Sequence, residues 1–258
     1  FVCITWCYMM YLIGVCLGAL SLSAVAQSMV IVDSTRDRSI PLEVVLPQNS
    51  DSCTMTELCN VAFISAGNRV PFTKYGFVGE MLNDRGYMTI YVDHELPSDP
   101  PLSKTGDLYQ TRIENWTRGA QTLNVLQHEL ASRFPVYDFD KLTLVGHSNG
   151  GDISTWLSNE NKSYVSQLIT LDHKRVTLPK SVNIRVLTIR ATEYPTKEGV
   201  LPTESEQKQY GSCVVEIPDS KHMDLSDYGS NLAKQSTNDI IIGFLDGLAC
   251  EELRVKVE

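Results

Sequence analysis

The chain has 258 residues, 43% of them hydrophobic and 21% charged, which suits one large domain with a sizeable core. A formal net charge of −9, with no run of basic residues to offset it, argues against nucleic acid or anionic membrane surfaces as partners. The first charged residue is Asp33, so the chain opens on an unbroken uncharged stretch. Its apolar part runs from Trp6 to Leu22 and ends in Ser23-Ala-Val-Ala26-Gln27. Small residues at Ala24 and Ala26 read as a signal-peptide cleavage site, with residues 1–26 removed and 27–258 left as the mature domain. No Lys or Arg precedes the run, and an uncleaved N-terminal membrane anchor is the competing reading. With the leader removed, the expectation is a secreted or periplasmic protein with no stable membrane association.

Seven cysteines divide into two groups. Cys3, Cys7 and Cys16 leave with the leader, and Cys53, Cys59, Cys213 and Cys250 remain, an even set that suits an oxidising compartment. Cys53 and Cys59 flank a short loop and can pair locally, leaving Cys213 for Cys250; free thiols are the alternative. There is no Cys-x-x-Cys and no histidine at ligand spacing, so no metal site is expected.

Met29–Asp33 and Ile40–Leu46 read as a hairpin around the turn-like Asp37-Arg38. Val61–Ser65 is a short, wholly apolar strand that breaks at Ala66-Gly67-Asn68. A helical pattern follows through Tyr75, Phe77, Val78, Met81 and Leu82; Gly86 ends it, and Tyr87–Val92 is the next strand. Strand, helix and strand in this order make a βαβ unit and predict a parallel sheet. Residues 93–107 are rich in Pro, Asp and Ser and form a loop. Trp116 to Leu130 reads as a helix with Leu123, Leu126 and Leu130 on one face. Leu142–Val145 then runs as a strand into Gly146-His-Ser-Asn-Gly150, and a helical pattern through Ile153, Trp156 and Leu157 follows. Strands are expected at Tyr164–Leu171, Ile184–Ile189 and Val214–Ile217, and a closing helix at Asp239–Leu248. The short spacer 172–183 leaves no room for a cap domain.

Gly-x-Ser-x-Gly between a strand and a helix places Ser148 on a turn so tight that only glycine two residues either side permits it. A serine hydroxyl needs a base to take its proton, and that base needs an oriented carboxylate. Of five histidines, His222 lies in a polar loop after the last strand, at the sheet edge where Ser148 must also lie, and is the expected base. His147 is set aside because neighbours on so tight a turn point apart, His128 as surface, and His94 and His173 as loop residues. The loop after strand 184–189 carries the expected acid, Glu193, with Glu198 as the alternative. The oxyanion donors are expected to be the backbone N–H of Asn149 and that of Asn68.

The Gly146-His-Ser-Asn-Gly-Gly151 turn, the late acid and the His222 loop resemble the α/β-hydrolase superfamily over nearly all of the mature chain. More loosely, Arg112-x-x-x-Trp116-x-Arg118-Gly119 and Gly199-Val-Leu-Pro202 are similar to a group of bacterial secreted hydrolases of unassigned substrate. The resemblance implies an α/β fold with a mostly parallel eight-stranded sheet, helices on both faces and no separate cap domain. It also implies a serine hydrolase without a cofactor, cleaving a small-molecule carboxylic ester through an acyl-enzyme. The same groups serve amide or thioester cleavage and acyl transfer, and the superfamily includes non-catalytic binding proteins. Arg112, Trp116 and Arg118 read as helix packing with surface ion pairs, or as an arginine at the pocket rim that holds an anionic group.

Overall fold

A computed structural model of the chain describes residues 26–255. The leader expected over 1–26, with Cys3, Cys7 and Cys16, lies outside the described residues except for Ala26, which opens the first strand. The hairpin is β1 (Ala26–Asp33) and β2 (Arg38–Val45), antiparallel from Ala26↔Val45 to Asp33↔Arg38. Its turn is tied by Asp33, whose carboxylate accepts from the backbone of Thr35 and from Arg36. Strand alternation then sends Ile31, Ile40, Leu42 and Val44 into the core while Val30 and Val32 face out.

The parallel part begins with β3 (Val61–Ser65), α1 (Gly76–Asp84) and β4 (Met88–Val92), the predicted βαβ unit. The helix α2 (Ile113–Arg133) buries Trp116, Leu123, Leu126 and Leu130 along one face. After it come β5 (Leu142–His147), α3 (Asn149–Ser158), β6 (Val165–Leu171), β7 (Arg185–Ala191), α4 (Glu204–Tyr210), β8 (Ser212–Ile217), α5 (Asn231–Leu245) and α6 (Cys250–Val255). Together the strands form one eight-stranded sheet in the order β1-β2-β4-β3-β5-β6-β7-β8, with β2 antiparallel to both neighbours and every later pair parallel. All five residues of β3 and of β4 are buried because helices cover both faces. Val61 and Phe63 pack with Trp116, Leu123 and Ile153 on one side; Ala62 and Ile64 pack with Val78, Leu82 and Ile241 on the other. Truncating any one of these large side chains to alanine costs about 2–5 kcal/mol.

Two details differ from the sequence reading. The closing helix starts at Asn231, with the Ser230 hydroxyl accepting from Ala233 N–H as its cap, because a polar first two turns carry no apolar period. Two short helices, α4 and α6, also flank β8. Both disulfides pair as the spacing suggested, Cys53 with Cys59 ahead of β3, and Cys213 with Cys250 holding α6 to β8. No cap domain interrupts the described residues, and none of their helices is long and apolar enough to cross a membrane. The carboxyl ends of β3, β5, β6, β7 and β8 therefore gather at one open edge, and the loops they feed build the site.

Candidate active site

The Ser148 backbone sits at φ 53°, ψ −120°, a conformation that a non-glycine residue holds only when its surroundings impose it. The imposition is steric. A Cβ on Gly146 would lie 2.4 Å from the Gly150 carbonyl oxygen, and one on Gly150 would lie 2.2 Å from the Ser65 carbonyl oxygen. Bare glycines thus let β5, α3 and the end of β3 close on one another, and the serine side chain is pushed out at the sheet edge. Its Oγ lies 2.9 Å from His222 Nε2. That histidine opens a short 3-10 turn (His222–Leu225) after β8.

His222 Nδ1 meets Asp172 Oδ2 at 2.5 Å. Asp172 directly follows β6, is fully buried, and holds φ 49° while its N–H donates to the Ile189 carbonyl. Two cations share its carboxylate: Arg190 of β7 at 2.5 Å from Oδ1, and Lys174 at 3.0 Å from Oδ2. Burial alone would raise this carboxyl; the His222 hydrogen bond, Arg190 and Lys174 outweigh it and hold the group below the usual carboxylate range. Arg190 is itself 3% exposed and also donates to the His173 carbonyl.

The expected oxyanion donors lie on the two turns beside the serine. Asn149 is the first residue of α3, so its N–H has no acceptor within the helix. Its side chain is fixed by Trp116 Nε1–H at 3.0 Å and by its own amide donating to Asn115 at 2.9 Å. The turn carrying Asn68 packs directly on the elbow, since a Cβ on Gly67 would come within 2.8 Å of His147 Nδ1 and 3.2 Å of Ser148 Cβ. Glu95 holds that turn from the other side, accepting from the Asn68 amide and the Arg69 N–H. Among the described residues no acceptor bonds the Asn68 N–H. A cleft of about 240 Å³ adjoins this side, lined in part by Asn68, Leu96, Pro97, Pro101, Asn115 and Arg118.

No protein-family model and no curated protein matches the sequence. Solved structures do match. A ferulic acid esterase from Streptomyces cinnamoneus superposes with a TM-score of 0.63 at 14% identity, covering 90% of this chain and 91% of its own. A dienelactone hydrolase from Anabaena variabilis gives 0.59 at 14% identity, over 87% and 99% of the two chains. Est1E from Butyrivibrio proteoclasticus gives 0.57 at 16%, over 87% and 100%. The chain has the α/β-hydrolase fold.

Within that α/β-hydrolase frame the carboxylate that meets the His222 ring is neither of the two expected from the sequence. Glu193 does not face the imidazole; its Oε2 accepts from the His222 backbone N–H at 2.8 Å, while Glu198 stays exposed in the same loop. Asp172 stands at the ring nitrogen instead, because β6 is the immediate neighbour of β5 and Ser148 N–H bonds the Leu171 carbonyl at 2.9 Å. One signal in the sequence marks it: an Asp at the carboxyl end of a strand, followed at once by His173-Lys-Arg175. His147, set aside in the sequence, lies buried against His222 with ring centroids 4.6 Å apart. Arg112 and Arg118 are both engaged within the chain, Arg112 donating to the Ser103 carbonyl and Arg118 pairing with Asp99 and Glu114. Both tie down the proline-rich loop, and Arg118 also lines the cleft beside the Asn68 turn. His94 and His173 are buried and hydrogen-bonded, to Ser65 and to Thr170 and the Val176 carbonyl respectively. Among the described residues no group of three His, Cys, Asp or Glu side chains is placed to hold a metal ion.

Proposed function

We propose that this protein is a serine hydrolase that cleaves small carboxylic esters through an acyl-enzyme. The observation that carries the reading is the 2.9 Å contact between Ser148 Oγ and His222 Nε2, with Asp172 at the other ring nitrogen. Ser148 Oγ attacks the ester carbonyl carbon as its proton passes to His222 Nε2. Asp172 stabilises the resulting imidazolium and holds the ring in the tautomer with Nδ1 protonated. The tetrahedral oxyanion takes the N–H groups of Asn149 and Asn68, each worth about 10²–10³ in kcat where such donors have been removed. The intermediate collapses, the alkoxide leaves with the proton from His222, and water then repeats the sequence on the acyl-serine to release the acid. The uncapped site suits compact or accessible esters. The disulfides, with the leader read over residues 1–26, support a secreted or periplasmic protein, mature from Gln27.

The test is labelling with a fluorophosphonate followed by peptide mapping, together with p-nitrophenyl acetate turnover. The probe should map to the peptide that contains Ser148, and Ser148→Ala should lower kcat by about 10⁴–10⁶-fold. A wild-type protein that neither labels nor turns over would leave a binding protein on a hydrolase fold.

A further inference from the structure

One buried chain of hydrogen bonds joins three of the loops that build the site. Gly67 N–H donates to Tyr75 Oη at 2.9 Å, Tyr75 Oη lies 2.9 Å from His147 Nδ1, and His147 Nε2 lies 3.0 Å from the His222 carbonyl oxygen. Tyr75 and His147 are each 1% exposed, so every polar atom here must find its partner inside the protein. The proton count allows a single arrangement. A carbonyl only accepts, so His147 Nε2 carries a hydrogen. An amide only donates, so the phenol accepts from Gly67 and its own proton goes to Nδ1, which is bare. An imidazolium at His147 would leave the phenol proton without an acceptor. Burial, and then the His222 charge, lower His147 to about 3, so the neutral ring persists across the working range of pH.

Neither side chain takes part in the catalytic steps proposed above, yet both ends of the chain are attached to groups that do. Gly67 precedes Asn68, one expected oxyanion donor, and a Cβ on Gly67 would come within 3.2 Å of Ser148 Cβ. The accepting carbonyl belongs to His222, the base itself. His147 precedes the nucleophile and packs against the base, the two tilted rings 4.6 Å apart. A phenylalanine would fill the volume of Tyr75, so the hydroxyl adds only the two bonds. We propose that Tyr75 and His147 are positioning residues whose hydrogen-bond chain sets the spacing between the oxyanion turn and the base loop, so that both address the same reacting carbonyl. The inference rests on the serine-hydrolase reading.

Tyr75→Phe removes a single oxygen and is the direct test. Expected is a fall of about 10- to 100-fold in kcat for p-nitrophenyl acetate and in the fluorophosphonate labelling rate. KM should stay within about twofold, since the lost alignment matters only in the transition state. His147→Gln, which keeps a donor and an acceptor, should retain more activity than His147→Met. Nitrogen NMR on wild type should find His147 in the Nε2–H form and untitrated between about pH 5 and 8. A folded Tyr75→Phe with wild-type kcat overturns the inference, as does a kcat loss that disappears once corrected for the folded fraction. If Tyr75→Phe does not fold, an Nδ1–H tautomer at His147, or equal activity in the Gln and Met variants, overturns it. A wild type that fails to label sinks the hydrolase reading and this inference with it. A reactive wild type with an equally reactive Tyr75→Phe sinks this inference alone.

Discussion

The two flanks of Ser148 are held by different physics. On the elbow side the constraint is steric and local: Gly146, Ser148 and Gly150 lie within one turn, and the two glycines are fixed by backbone atoms that a Cβ would strike. On the acid side it is electrostatic and assembled from afar. Asp172 follows β6, Arg190 lies near the end of β7, His222 follows β8, and these groups meet only when the sheet is complete. The elbow tolerates no added volume, whereas the acid cluster tolerates no missing charge. Arg190 has lost its hydration, and the Asp172 carboxylate is what replaces it.

The largest expected effect separates these flanks directly. Asp172→Asn should lower kcat by about 10⁴-fold, because the amide can no longer hold the imidazole tautomer or stabilise its charge. It should also destabilise the fold by about 3–5 kcal/mol, because Arg190 is left buried beside a neutral group. Adding Arg190→Met to Asp172→Asn should recover stability in urea unfolding while kcat stays low. A double variant as unstable as the single one would mean that Arg190 is not held by this charge.

A second effect concerns protons at large. His94, His147 and His173 are each lowered to about 3, with burial the first cause in every case. Their folded values lie below the unfolded value near 6.5, so their contribution to stability is complete above about pH 6.5 and is lost as pH falls toward 3. Each histidine adds a slope of about 1.4 kcal/mol per pH unit, and the set about 4. Asp172 acts in the same direction but lower, its contribution present above the unfolded carboxylate range near 4 and lost on further acidification. Unfolding followed by circular dichroism should therefore begin well before the carboxylates titrate. Stability that stays flat from pH 6.5 to 5 would refute the neutral, buried histidines.

The same contrast explains what could be read from the sequence. Strands, βαβ order and elbow were legible because each is written in consecutive residues, as apolar runs or as glycines at fixed offsets. The place of His222 beside Ser148 was legible because a loop after the last strand has only one edge to reach. Asp172 was not, since it abuts the apolar run Leu168–Leu171 and looks like a strand end, while Glu193 comes first in a roomier loop. Distance decides between them. β6 is one strand from β5 and β7 is two, at about 4.8 Å per strand. No local pattern records that spacing. The first turns of α5 were missed for a related reason, because Asn231–Asn238, with only Leu232 and Ala233 apolar, shows its helix through the Ser230 cap and not through an apolar period.

Glu193 supplies the finest test, since it remains at the site without facing the ring. Its carboxylate accepts from the His222 backbone N–H, and this bond is exposed. A glutamine keeps an oxygen that accepts equally well, so Glu193→Gln should change kcat by no more than about twofold. Glu193→Ala removes the acceptor and should cost about tenfold, the value of one modest hydrogen bond that steadies the base loop. Glu198→Gln, exposed in the same loop, should leave kcat within about twofold and serves as the control. Were Glu193 the group that stabilises the imidazolium, neutralising it would be as damaging as Asp172→Asn. Kinetics of the two amide variants, measured side by side, therefore assign the negative charge to β6 or to β7: a kcat loss of about 10⁴-fold at one position and near-silence at the other leaves no shared role.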